Sequence, residues 1–510
     1  MSSEEEQQRQ SRPTGASAET LKTDKAASNS PSSKSWWSSL NNKFFFFAFW
    51  LNFLAYTSLS AYAIFEYSQN YENTSGKIED KIDQLGNQIS EAVAVDDPES
   101  QDTFKLDGNT LYTFLGATGI ALALSFCLLI FIRKFPGFTL WFGPCLACLL
   151  SFGMAGAYAQ AACLGVAGLV ILVLLWNLKR HFVITRGLLV TANQAAHEHW
   201  SVFWTAIIGL IVAALMALWS LVTFVAVFLT FAPGHSACEA SGSCSVGNLT
   251  LLLIYVVLSY LWINSVIGNI TLTTMAGGPY TTWWFGTDTR EKSESWFALK
   301  KSLGTSLGSI ALGSLVVAFV EALVASCWIL SLEWLGSNCL CVVQMLDSLV
   351  EKFNRCVFVK IGVEGFEMPY FQSAKEIIHI IKKKREDHSP SGVNMLFQDS
   401  QVRLSLNSAC TACALVCALF TYIQLMVVER DSKIDNFWDW MIIIYSFLLA
   451  LNTSMVLTSA VNAGVLTIVL CLDKDASPLK TRNREFYEQL RDSERYFEIL
   501  PEGDRGTSKA

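Results

Sequence analysis

The sequence predicts an all-α membrane protein: a polytopic helix bundle of about ten transmembrane helices, with the N- and C-termini cytoplasmic. Three observations carry that expectation. The 510 residues are 52% hydrophobic and only 16% charged, whereas soluble domains are near a quarter charged. The apolar residues gather in runs of about 20 or more, the length that crosses the ~30 Å hydrocarbon core as a helix. Lysine and arginine are also distributed one-sidedly, which sets orientation because short basic loops stay on the cytoplasmic side.

Taken in order, residues 1–43 begin polar, rich in Ser and Glu, and lack the apolar core of a signal peptide. They read as a disordered cytoplasmic tail. The transmembrane domain runs over 44–471 and opens with a span at 44–65, entered through Lys43 with Trp36 and Trp37 at the interface. The loop 66–110 holds eleven acids but only Lys77, Lys81 and Lys105, and reads as extracellular. Its sequon Asn73-Thr74-Ser75 makes Asn73 a candidate glycosylation site.

A second span (111–132) ends at Arg133 and Lys134, and a Gly/Ala-rich hairpin supplies a third (138–158) and a fourth (160–178). The polar segment 181–200 reads as interfacial. His197, Glu198 and His199 look like ligands, but their i, i+2 spacing splits them around a helix, so no metal site is expected.

A fifth span (201–231) and a sixth (249–275) flank a loop in which Cys238 and Cys244 stand six apart. They are a candidate disulfide on an oxidising side. The following stretch combines a Gly-Gly-Pro turn signal with Trp283 and Trp284, and a seventh span covers 304–328. Region 332–361 carries Glu333, Asp347, Glu351, Lys352 and Arg355 among apolar residues, so by composition it spans, re-enters or lies at the interface. Residues 362–403 form a cytoplasmic loop with the basic amphipathic helix SAKEIIHIIKKKRED. Spans at 404–428 and 437–471 complete the set, and 472–510 is a charged cytoplasmic tail.

If 332–361 crosses, the outside loops hold five basic residues: Lys77, Lys81, Lys105, Arg430 and Lys433. The inside segments then hold about thirty. Without that crossing the run Lys382–Arg385 would face outside. The charge rule therefore selects the ten-span arrangement.

Polar and small residues inside the spans mark where helices pack or where a path runs. In the seventh span Gly304 and Gly308 are four apart, as are Ser309 and Gly313, a spacing that lets helices approach backbone to backbone. Glu321 stands in the same apolar run, with Trp328 seven residues on. A carboxylate in lipid is costly, so Glu321 is expected to face a cavity or a partner. In the sixth span Tyr255, Trp262 and Asn269 recur every seven residues. Either stripe lines a path or simply packs. Cys410, Cys413 and Cys417 share a face without His or carboxylate nearby and read as packing.

Four segments resemble the choline transporter-like family, most closely its fungal and protist members. They are TLTTMAGGPYTTWWFG (271–286), GSIALGSLVVAFVEAL (308–323), KFNRCVFVKIGVEGFEMPYFQSAKE (352–376) and SAVNAGVLTIVLCLDKDASPLKTRNREFYEQL (459–490). The matching motif positions include Gly308, Gly313, Ser314, Asn462, Gly464 and Thr467. The resemblance implies ten spans, cytoplasmic ends and residence in the plasma membrane. Two departures stand out: the first outside loop is short, and Glu321 occupies a position where relatives tend to carry an uncharged amide.

The resemblance implies a transporter of choline or a related small organic cation such as ethanolamine, not an enzyme and without a cofactor. The chemistry suits the residues. A quaternary ammonium lacks N–H donors and is held by aromatic faces with a carboxylate nearby. Tyr255, Trp262 and Trp328 are the candidate aromatic lining, Glu321 the counter-charge that would also couple transport to a proton, and Asn269 a polar partner. A non-transporting scaffold or regulator, using the tails and the basic helix, is the alternative. A membrane-embedded lipid-modifying enzyme is disfavoured, because none of the six histidines falls in a predicted membrane core. No phosphate-binding loop is present, and nothing points to nucleic acid. The partners are the bilayer and the small cation; oligomeric state is not legible.

Overall fold

A computed structural model of the chain describes residues 40–69, 108–142, 145, 182–231, 246–286, 293–331, 338–386, 391–428 and 437–491. Within these the protein is helical and has no strand. The helices are α1 (Lys43–Gln69), α2 (Gly108–Lys134), α3 (136–142), α4 (182–198), α5 (Ser201–Phe231) and α6 (Val246–Met275). A π-turn (Ala276–Tyr280) leads into α7 (Thr281–Phe285), followed by α8 (Glu294–Leu303), α9 (Leu307–Ser331) and α10 (Asn338–Val363). The series ends with α11 (Tyr370–Glu386), α12 (Ser391–Val428), α13 (Phe437–Lys474), α14 (Ser477–Arg482) and α15 (Arg484–Arg491).

Among the described residues five helices are long and apolar enough to cross a membrane, or up to seven if two bent pairs each count as one span. The expected third span lies almost wholly, and the fourth entirely, outside the described residues, as do Asn73, Cys238 and Cys244. The chain is an all-α polytopic membrane protein. Its centre is α13: 83% of its apolar stretch is buried, against 22–39% for the four other long helices. It packs on α12, α2, α10 and α5, while α6 packs on α5, α9, α8 and α10.

Two boundaries differ from the sequence reading. The stretch after Met275 is not a turn but a continuation of α6 through the π-turn into α7. Pro279 sits inside it without breaking the helix, because the wider π geometry absorbs a residue that lacks an N–H. The seventh span begins at Leu307, because Gly304 ends α8 and the chain bends by 72° before α9. The region 338–363 is a single helix whose Cys356, Val357, Phe358, Val359 and Ile361 are buried in the bundle.

One end of the bundle is stitched by backbone groups. The Asn41 N–H donates to the Thr305 carbonyl (3.0 Å), and the Asn41 amide and Ser306 hydroxyl both donate to the Phe366 carbonyl (3.2 and 2.9 Å). Phe366 holds φ at 68°, a strained region for a side chain with a Cβ, and is 1% exposed. Its two carbonyl partners and its buried ring fix that conformation, the over-determination that such strain needs. Nearby, Lys360 and Lys474 grip Glu364 at 2.9 and 3.0 Å. Burial opposes ionisation of this carboxyl, but the two lysines outweigh it and hold it below the ordinary value.

The residues after α13 fold back onto the same end. The Trp284 indole N–H donates to the Asp475 carbonyl (3.0 Å), Arg482 lies 4.9 Å over the Trp283 ring, and the Asn483 amide donates to Thr191 (3.0 Å). The Phe486 ring fills the space that a side chain at Gly187 would need. Truncating a fully buried phenylalanine costs about 3–5 kcal/mol. Phe486→Ala is therefore expected to free 477–491, seen as faster tryptic cleavage at Lys480, Arg482 and Arg484. Cleavage at the wild-type rate would mean that the ring is not what anchors the segment.

Candidate functional site

A cavity of about 350 Å³ opens between α5, α6, α9, α10 and α13. Its polar wall is built from Asn264 and Asn269 of α6, Glu321 of α9, and Glu351, Asn354 and Arg355 of α10. The chain makes room for it by using small residues. Gly209 faces Thr271, where a Cβ would collide with the threonine side chain, and Gly268 has nothing within 4 Å of where a Cβ would stand. Such residues let α5 and α6 close on each other at one level and part at the next.

Three of these polar groups are positioned by a neighbour. The Asn269 amide donates to Ser314 of α9 (2.9 Å) and Ser265 (3.4 Å), leaving its carbonyl oxygen as the acceptor for a bound group. The Asn354 amide donates to the Gly313 carbonyl (2.9 Å), and its oxygen accepts from the Tyr370 hydroxyl. Glu351 is in ion-pair contact with Arg403 of α12. The wall thus carries two carboxylates and a guanidinium, with a second guanidinium, Arg403, behind Glu351. Buried charges in a membrane protein face such cavities and one another, because lipid cannot solvate them.

Of the residues singled out from the sequence, Asn269 and Glu321 come together in this wall. Tyr255 and Trp262 do not line it. The Tyr255 hydroxyl reaches the Asn52 carbonyl of α1 at 3.5 Å. The Trp262 indole donates to the Ala311 carbonyl (2.9 Å), meets Phe49 edge-on at 5.8 Å and is 9% exposed. Their stripe is the seam of α6 with α1 and α9, and only its Asn269 end reaches the cavity. The side chain of Trp328 lies outside the described residues. No described residue of the wall is aromatic.

The motif positions prove to be close-packing points. Gly308 lies against the Asn41 and Asn42 carbonyls, Gly313 against the Phe358 and Tyr370 rings, and Gly464 against the Tyr280 ring, which a Cβ at 464 would meet at 2.5 Å. Ser314 accepts from Asn269, and the Thr467 hydroxyl donates to the Ala463 carbonyl (2.7 Å). Asn462 is 4% exposed, and its amide oxygen has no hydrogen-bond partner. Sequence reasoning missed Asn264 and Asn354 as site residues. The available signal was an amide in an apolar run, which lipid penalises unless it is paired or faces water.

Comparison with known proteins agrees with this architecture. The family model described as plasma-membrane choline transporter matches residues 162–477. Protein PNS1 of Cryptococcus neoformans var. neoformans is 29% identical over 410 residues, covering 76% of this chain and 72% of that protein. Protein PNS1 of Mycosarcoma maydis is 27% identical over 404 residues, and that of Gibberella zeae 24% over 410. The family match runs from before α4 to the start of α14 and takes in every helix that walls the cavity, so this chain belongs to the plasma-membrane choline transporter family.

Proposed function

We propose that this membrane transporter carries choline or a related small organic cation, ethanolamine included, through the cavity between α5, α6, α9, α10 and α13. It works in the plasma membrane, with the stitched end of the bundle cytoplasmic. The supporting observation is the meeting of Glu321 with the Asn269 carbonyl oxygen in one wall. Glu321 stands on the α9 side of the cavity, in the same wall as Asn269, and is the carboxylate that balances an incoming cation. Arg355 repels the ammonium and directs it to the α6–α9 side, where amide and hydroxyl oxygens accept from an N–H or solvate a methylated nitrogen.

A proton and the cation compete for one carboxylate, so binding the cation expels the proton. This links transport to a proton moving the opposite way. The test is uptake of labelled choline into vesicles reconstituted with the purified protein, with ethanolamine and glycine betaine as competitors. Choline uptake above protein-free vesicles, competed by ethanolamine more than by the zwitterion, is expected. No uptake of either cation would overturn the reading. Competition by betaine equal to that by ethanolamine would make Arg355 a binding group and the substrate a zwitterion.

A further inference from the structure

A second cavity, of about 480 Å³, lies on the outer flank between α5, α6 and α8. It falls within the range of about 300–1,000 Å³ that holds small-molecule ligands. One end is polar, formed by Ser201, Ser293 and Ser295. The Ser295 hydroxyl oxygen is buried there with no hydrogen-bond partner. The rest is apolar, running past Ile208 and Ile270 to Val212 and Ile267. Its lip faces the bilayer: Trp204 is 63% exposed, Ile208 56%, Trp296 54% and Leu303 48%.

Two further features restrict what fits. Ser201 to Val212 is twelve residues of helix, eleven rises of ~1.5 Å or about 16 Å. That is roughly half of the ~30 Å hydrocarbon core, the depth of one leaflet. At the rim, Lys300 stands 5.5 Å over the Trp296 ring. Glu294, the acid of this helix, is turned instead to His199 at 2.9 Å. The rim therefore presents a cation and two indoles above a buried hydroxyl lacking a partner, groups that gather where lipid headgroups meet acyl chains.

We propose that this groove is a binding site for one anionic glycerophospholipid of the adjoining leaflet. An acyl chain lies along Ile208, Ile267 and Ile270, the phosphate accepts from Ser295, and the headgroup charge pairs with Lys300. The groove shares Gly209 and Thr271 with the cavity that holds Glu321, so the lipid rests on the back of the substrate site.

Native mass spectrometry of the purified protein, titrated with phosphatidylserine or phosphatidylcholine, tests this. Wild type is expected to keep one phosphatidylserine and to prefer it over phosphatidylcholine about fivefold, the increment of one lysine at a membrane surface. Lys300→Gln, at an exposed position, should remove the preference while leaving a bound chain. Ile270→Trp should fill the groove and release both lipids. If that variant does not fold, Leu303→Trp at the open lip serves the same purpose. An unchanged preference in Lys300→Gln, or wild-type retention in the filled variants, would show annular lipid only and overturn the proposal.

Discussion

Gly277→Ala is expected to be strongly destabilising. A Cβ at 277 would stand 2.5 Å from the Phe366 ring, 2.7 Å from the Gly362 carbonyl oxygen and 2.8 Å from the Gly362 Cα. The ring belongs to a residue already held at positive φ, and the other two atoms are backbone, so no rotamer change relieves the collision. Overpacking of this kind costs about 3 kcal/mol or more where nothing can yield. That is a large part of the ~5–15 kcal/mol that holds a typical domain together. Gly119→Ala is the control, since nothing lies within 4 Å of a Cβ there. It should be neutral or gain up to ~1 kcal/mol from helix propensity. Thermal unfolding and size-exclusion profiles of the two variants give the answer; equal behaviour would mean that the crossing of α6 and α10 is looser than the contacts imply.

Glu321→Gln is expected to have the largest effect on activity with the least on folding. The amide keeps the size and most of the hydrogen bonding of the acid while removing its charge. Removing the counter-charge from a cation held in a largely desolvated site costs about 2 kcal/mol or more, so cation affinity should fall roughly thirtyfold or more. The pH profile carries the finer distinction. If protons and substrate compete for Glu321 as proposed, wild-type uptake should rise as pH rises through the titration of that carboxyl. In Glu321→Gln that rise should vanish, leaving weak and pH-independent flux. If Glu321 serves only to join helices, the variant should transport at near wild-type rate with the same pH profile, and that outcome would sink the coupling.

The parts of the fold that could be read from sequence were those that hydropathy alone determines. The stretches Ser201–Phe228, Val402–Met426 and Ile442–Leu472 are predominantly apolar and are helical where expected. The break between α8 and α9 was not legible, because Gly304 and Ser306 sit in a run that periodicity reads as continuous. Their bend is fixed by the Phe366 carbonyl, 60 residues away in sequence. The site divided in the same way. Glu321 and Asn269 were visible as polar groups that lipid would penalise. Tyr255 and Trp262 share a face with Asn269 but do not line this cavity, because a seven-residue repeat shows that residues share a face but not which neighbour the face meets. That choice is made by the rotation of α6 about its axis, which sequence periodicity does not specify.

The return of the chain end to Trp283 and Trp284 has a genetic consequence. The segment from Asp475 to Arg491 carries few apolar residues and looks expendable, yet it supplies the acceptor for one indole and the guanidinium over the other. It also supplies the ring that occupies the niche at Gly187. A stop codon at or before Phe486 is therefore not a trimmed tail. It removes partners from α4 and α7 in the interior of the reading frame, and such alleles belong with missense lesions of the bundle.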